Sequence, residues 1–188
     1  MLTDLLQRRR SRRRYDKTPL SLEALARLLW AAQGITHRAP GRRPLHTAPS
    51  AGALYPLTFH VVAGHVSKLP AGAYRYDPER HTLQRVARGD QRARLATLAV
   101  KQRWIELAPA ALVVTGLYAR TAAKYGARAK QYVHIEVGHA AQNVCLMATA
   151  LGLSATPVGA FDEPGLRRLL SLTDAHTPLL LLPVGKPR

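Results

Sequence analysis

Six of the chain's 22 arginines lie between Arg8 and Arg14, interrupted only by Ser11. Guanidinium forks around a hydroxyl suit a phosphate monoester, which accepts bidentate hydrogen bonds. A solvated basic face or an RNA-binding arm is the commoner meaning of such a run. Further along, Pro49-Ser50-Ala51-Gly52-Ala53-Leu54-Tyr55-Pro56 is a turn of small residues just ahead of an apolar segment. Backbone amides at such a turn hold anions, and side chains this small let a flat ligand approach the main chain. In Thr156-Pro157-Val158-Gly159-Ala160-Phe161, Pro157 fixes the chain while Gly159 and Ala160 leave their N–H groups unobstructed. That segment reads as a main-chain edge for a ring heteroatom, or as a plain connection. Lys124-Tyr125-Gly126 sets an amine and a phenol beside a flexible residue. The pair can donate and accept protons, or can be a surface lysine and a packed ring.

Composition narrows these readings without choosing between them. The net charge of +17 fits a nucleic-acid binder, an enzyme for anionic ligands, or an arginine-rich protein of a biased genome. Two phenylalanines and two tryptophans are poor material for a base-stacking platform, so nucleic acid is not the expected partner. An apolar content of 47% suits a folded domain. No run reaches the roughly 18 apolar residues of a membrane span, and the N-terminus turns basic too early for a secretory signal. The single cysteine, Cys145, excludes an intramolecular disulfide, and the expected location is the cytoplasm. His134 and His139 stand five apart on different helix faces, so no metal site is expected. Neither a Gly-x-Gly-x-x-Gly fingerprint nor a Gly-Lys-Ser/Thr loop occurs.

The elements that must carry these groups follow from periodicity. Residues 2–10 suit a short helix. A clearer one starts at Ser21 as N-cap, has an apolar face through Leu22, Leu25, Leu28 and Leu29, and stops at Gly34. Residues 36–49, rich in Arg, Pro, Gly and His, read as a long polar loop. Strands are expected over 57–63, 73–76, 82–86, 110–117 and 178–184, the second and third forming a hairpin. Asp90 opens a helix to about Val100, and residues 164–170 form another. Between 129 and 151, Val133, Val137, Ala140, Val144, Met147 and Leu151 step by three and four, which predicts a long helix with one buried stripe before Gly152. Helices and strands alternate without βαβ regularity, which makes the class α+β in a single domain, 1–188.

Taken in order, several segments resemble the nitroreductase-like FMN flavoprotein family, in particular its SagB-type (azoline) dehydrogenase branch. They are Arg-Arg-Ser-Arg-Arg-Arg-Tyr (9–15), Leu-Leu-Trp-Ala-Ala-Gln-Gly-Ile (28–35), Pro-Ser-Ala-Gly-Ala-Leu-Tyr-Pro (49–56) and Gly-Ala-Tyr-Arg-Tyr-Asp-Pro (72–78). Lys-Tyr-Gly (124–126), Gly-His-Ala-Ala-Gln-Asn-Val (138–144), Leu-Gly-Leu (151–153) and Pro-Val-Gly-Lys-Pro (183–187) complete the collinear set. The resemblance implies a three-layer α/β/α fold with a mainly antiparallel central sheet, in an entwined homodimer with FMN at its interface. Arg9, Arg10, Ser11 and Arg13 then take the phosphate, ribityl chain and pyrimidine edge. Pro49, Ser50, Ala51 and Gly52 come from the partner subunit. Pro157 and Val158 lie against one ring face, the amides of Gly159 and Ala160 reach N5 and O4, and Lys186 and Arg188 close the phosphate site. Lys124 and Tyr125 match the pair that assists proton removal in the azoline-oxidising relatives.

The activity implied is hydride or two-electron transfer at flavin N5 by a ping-pong mechanism, on a small-molecule or peptide-derived substrate. NADH or NADPH is the electron donor in the nearest alternative, a nitro- or quinone-reductase. No long extra segment for a leader peptide is evident, which leaves room for a stand-alone oxidoreductase. The rivals from other classes are a basic nucleic-acid-binding protein and a flavin-binding protein without turnover.

Overall fold

The computed structural model describes all of residues 1–188. Its elements in chain order begin with helices α1 (Leu2–Arg8) and α2 (Leu22–Gln33), then strands β1 (Ile35–His37), β2 (Leu45–His46), β3 (Leu57–Ala63), β4 (Gly72–Asp77) and β5 (Thr82–Arg88). Helix α3 (Arg92–Leu98), β6 (Ala110–Gly116), α4 (Tyr118–Tyr125), α5 (Ala129–Ala150), β7 (Ser154–Ala155), α6 (Glu163–Leu169) and β8 (Thr177–Gly185) follow. Six strands form one antiparallel sheet in the order β5-β4-β3-β6-β8-β7, and β1 pairs with β2 alone.

Strand β6 is buried along its whole length because it is central and covered on both faces. Phe59, Val61, Leu112, Val114, Leu182 and Val184 point to one face, where α2 and the buried stripe of α5 cover them. Val62, Ala73, Ala111, Val113 and Leu181 point to the other, beneath α3 and α6. The period of two along each strand thus sorts its side chains into two cores, and the result is the expected α+β sandwich of three layers.

Local chemistry explains the helix ends. The Ser21 hydroxyl accepts the Ala24 amide at 3.0 Å and closes the start of α2. Gly34 ends that helix in an extended conformation, not a left-handed one. The residue is small for a different reason: a Cβ there would sit 2.3 Å from the Trp30 ring. In α3 the Asp90 carboxylate accepts the Arg92 amide, so the helix proper begins two residues later than the sequence suggests. Residues 36–49 are not all loop, since β1 and β2 pair within them. No helix is long and apolar enough to cross a membrane.

Candidate functional site

Residues 9–16 run extended beside β7 and the end of β8. Ser154 Oγ donates to the Arg10 carbonyl at 3.2 Å, and Thr156 Oγ1 donates to that of Arg12 at 2.7 Å. The Arg188 amide donates to Arg14 O, and the Asp16 amide donates to Lys186 O, both at 3.0 Å. Tyr15 anchors the far end, its buried hydroxyl donating to Pro183 O at 3.1 Å. Burial pushes that phenol up to about 12, so it stays protonated.

Main-chain atoms therefore hold this strand, and the side chains of Arg9, Ser11 and Arg13 make no hydrogen bond within the chain. The Arg13 guanidinium lies 5.7 Å above the Trp104 ring, which fixes its direction. Arg10 behaves differently: its fork donates to the carbonyls of Gln7 and Arg9, and with Arg8 and Arg12 it lines a cavity of about 250 Å³ at the C-terminal end of α5. Lys186 sits 3.6 Å from the Asp16 carboxylate and faces a cavity shared with Ser21 and Leu153. Arg188 lines a separate, open cavity of about 920 Å³ with Tyr15, His65 and Arg92. The predicted phosphate ligands are thus gathered at one end of the sheet without converging on one point.

Beyond β7, Val158 is buried and exchanges backbone hydrogen bonds of 2.9 Å with Leu181 in both directions. Pro157, Gly159 and Ala160 are exposed, and the amides of Gly159 and Ala160 have no partner in the chain. Two free donors on a fixed edge match an acceptor-rich ring. The unpaired Arg9, Ser11 and Arg13 belong to the strand that bonds Ser154 and Thr156, just ahead of these amides, and donors of these types suit the phosphate and heteroaromatic edge of a flavin mononucleotide.

The other predicted residues form a second cluster on α5. Pro49 is exposed, and Ser50 Oγ donates to Glu136 Oε2 at 2.5 Å while accepting the Tyr55 amide at 2.9 Å. Arg120 Nη1 donates to the Tyr55 carbonyl at 2.6 Å. Within this turn Gly52, Ala53 and Tyr55 all have positive φ, at 62°, 51° and 47°. Two of the three are not glycine, so the turn is strained and held by these bonds. Ala51 and Gly52 lead it directly beneath Lys124 and Tyr125, at the C-terminal end of α4. A Cβ on Gly52 would lie 2.8 Å from Tyr125 Oη and 3.0 Å from Lys124 Nζ. Tyr125 in turn packs edge-on against Tyr132, with ring centres 5.0 Å apart.

Glu136 is the member of this cluster that sequence reasoning missed. It is only 4% exposed, and burial, opposed by the Ser50 hydrogen bond and the Arg120 charge, pushes its carboxyl up to about 7. The signal was present: an acid at 136 stands three after Val133 and four before Ala140, on the stripe that α5 buries. Cys145, also on that stripe, is 2% exposed, and burial raises its thiol to about 11. It is a packing residue.

The two clusters stand apart within one chain. Glu136 and Thr149 mark their places on α5, and thirteen residues at 1.5 Å each separate them by about 20 Å. Val158, just beyond β7, packs into the core under α3 and α6, whereas the 50–52 turn rests on α5 over the other face.

Comparison with known proteins gives a consistent result. Residues 6–186 match the model of the nitroreductase family. A protein of Methanocaldococcus jannaschii described as a nitroreductase is 45% identical over 185 residues, 98% of this chain and 90% of the relative. Among solved structures, one described as a nitroreductase from Ralstonia eutropha aligns with a TM-score of 0.85 at 29% identity, covering all of this chain and 83% of the other. A chain of the Escherichia coli microcin synthetase complex, solved with a truncated pro-peptide bound, shares the fold with a TM-score of 0.77 at 24% identity, covering 93% of this chain and 67% of that one.

Proposed function

Since the chain belongs to the nitroreductase family and is an oxidoreductase of that family, we propose that it is an FMN-dependent dehydrogenase of the SagB type. It works as a cytoplasmic homodimer, and each chain forms a single FMN-binding domain. The observation that carries this reading is the pairing of a lysine and a tyrosine against the Gly52 turn, well apart along α5 from an arginine strand with free side chains. A ligand held by both clusters needs two chains, one giving the arginine strand and its partner giving the turn with Lys124 and Tyr125.

Arg9, Ser11 and Arg13 hold the phosphate and ribityl chain, joined by Arg10, Lys186 and Arg188 as their side chains turn toward it. The amides of Gly159 and Ala160 hold the N5–O4 edge, and Pro157 with Val158 supports one ring face. FMN, when bound, supplies a two-electron acceptor. The protein's own chemistry is proton handling. Lys124 Nζ and Tyr125 Oη sit side by side at the mouth of the turn, where one receives the proton that leaves the substrate carbon and the other holds the heteroatom. Oxidised product leaves before the second substrate enters, which gives ping-pong kinetics.

The substrate class is a small heterocycle, free or within a peptide. A nitro- or quinone-reductase fed by NADH or NADPH needs no protein acid, so Lys124→Ala separates the two readings. We expect the purified protein to take up FMN with the visible bands of oxidised flavin on a species of dimeric size. Lys124→Ala keeps those bands and loses substrate oxidation by at least about a hundredfold. A colourless protein that ignores FMN, or a Lys124→Ala variant with unchanged oxidation, overturns the proposal.

A further inference from the structure

Resting on that reading, we infer that Glu136 is a positioning residue for the Lys124–Tyr125 pair, acting through Ser50 and the strained turn that both side chains rest on. The chain of contact is continuous. The Glu136 carboxyl takes the Ser50 hydrogen at 2.5 Å, and Ser50 Oγ takes the Tyr55 amide at 2.9 Å. The turn between them holds Gly52, Ala53 and Tyr55 in the left-handed region. Gly52 then faces Lys124 Nζ and Tyr125 Oη so closely that a Cβ there would lie 3.0 and 2.8 Å from them. Strained backbone persists only where its surroundings over-determine it, and here the fixing bonds converge on one buried carboxyl and on Arg120.

The protonation state of that carboxyl decides the pattern of the pin. As a carboxylate, Glu136 only accepts, so the Ser50 hydroxyl must donate to it and keeps a lone pair for the Tyr55 amide. Once protonated, the carboxyl keeps an acceptor oxygen but also carries an O–H that competes to donate to Ser50, so the charge-assisted bond is lost and two hydrogen-bond patterns compete. The turn then loses its fixed register beneath the proton-transfer pair. The charge acting on Glu136 from packed elements is Arg120 on α4, with Lys124 lying beyond the turn. The turn itself brings no charge; on α5 near this level Lys130, His134 and His139 are exposed, and the half-buried Tyr132 packs against Tyr125. With burial raising the carboxyl to about 7, the switch falls in the neutral range.

The test follows Tyr125 and catalysis separately, in FMN-loaded dimer. With 3-fluorotyrosine incorporated, the ¹⁹F resonance of Tyr125, assigned by Tyr125→Phe, shifts with pH through the neutral range in the wild type. In Glu136→Gln, which still accepts from Ser50 but cannot ionise, the shift is absent. The acid limb of the rate profile is flattened in that variant, and flavin affinity stays within about twofold. Ser50→Ala and Glu136→Ala each lower kcat by about tenfold, roughly one lost buried hydrogen bond. The double variant is no worse than either single one. A Tyr125 resonance that titrates identically in wild type and Glu136→Gln overturns the inference, as do independent effects of the Ser50 and Glu136 changes. Failure of the functional reading looks different: Lys124→Ala then retains full activity, while the ¹⁹F response still reports whether Glu136 sets the position of Tyr125.

Discussion

Mixing two inactive variants offers the most direct trial of a site divided between chains. Lys124→Ala leaves the arginine strand whole and removes the amine beside the turn. Arg9→Ala with Arg13→Ala removes two free guanidiniums from the strand and leaves the turn whole. Within a protomer the two clusters are about 20 Å apart along α5, so one ligand is built from one cluster of each chain. In a mixed dimer, the intact strand of the lysine variant therefore meets the intact turn of the arginine variant. The other site of the same dimer carries both lesions. Random reassortment of equal amounts makes about half of the dimers mixed, each with one whole site, so about a quarter of the wild-type rate returns. Each variant alone stays near background, the arginine variant lacking flavin and the lysine variant retaining it. Subunits are exchanged in mild denaturant, mixed dimers are counted by native mass spectrometry with a tag on one variant, and turnover is measured per site. If mixed dimers form and no activity returns, both halves of the site come from one chain, and the geometric argument is wrong.

Three further outcomes are expected. Gly52→Val drives a branched side chain into Lys124 and Tyr125 at a φ of 62°, which costs about 1–3 kcal/mol of stability by urea melt and lowers proton-transfer-dependent turnover more than flavin affinity. Trp104→Ala frees Arg13 from the ring 5.7 Å below it; a stacking worth about 0.5–1 kcal/mol gives a two- to fivefold weaker FMN in a fluorescence titration. Stability also depends on pH through Glu136, whose carboxyl burial raises from 4.5 to about 7. Between those values the folded chain keeps a proton that the unfolded chain has released, so stability falls as pH rises through that window, by up to about 3 kcal/mol. Urea melts from pH 4 to 8 measure this, and Glu136→Gln removes the slope.

Periodicity made most of the framework legible. The stripe of α5, the hairpin of β4 and β5, and the wholly buried β6 each bury a surface that their own spacing defines. Helix α4 left no such mark, because its eight residues bury only Thr121. The pairing of β1 with β2 was hidden for a similar reason: it is two strands of three and two residues in a segment dominated by turn formers. In the site, Gly52 could be read as small, but what it is small for could not, since Lys124 is distant in sequence and reaches the turn only through α4. Arg10 shows the converse limit. Its residue type suits a phosphate, yet its guanidinium turns back onto the carbonyls of Gln7 and Arg9.

The strand order has a consequence for how the protein is made. Strand β8 is the last in sequence, yet it lies inside the sheet between β6 and β7, and the arginine strand near the start of the chain is hydrogen-bonded to Ser154, Thr156, Lys186 and Arg188. Residues of the arginine strand must therefore wait for partners made 144 positions later. During synthesis the basic arm has no docking edge, so cofactor capture is a late event, after translation has passed β8. A chain interrupted before β8 leaves the main chain of residues 14–16 without the Lys186 and Arg188 partners that fix it.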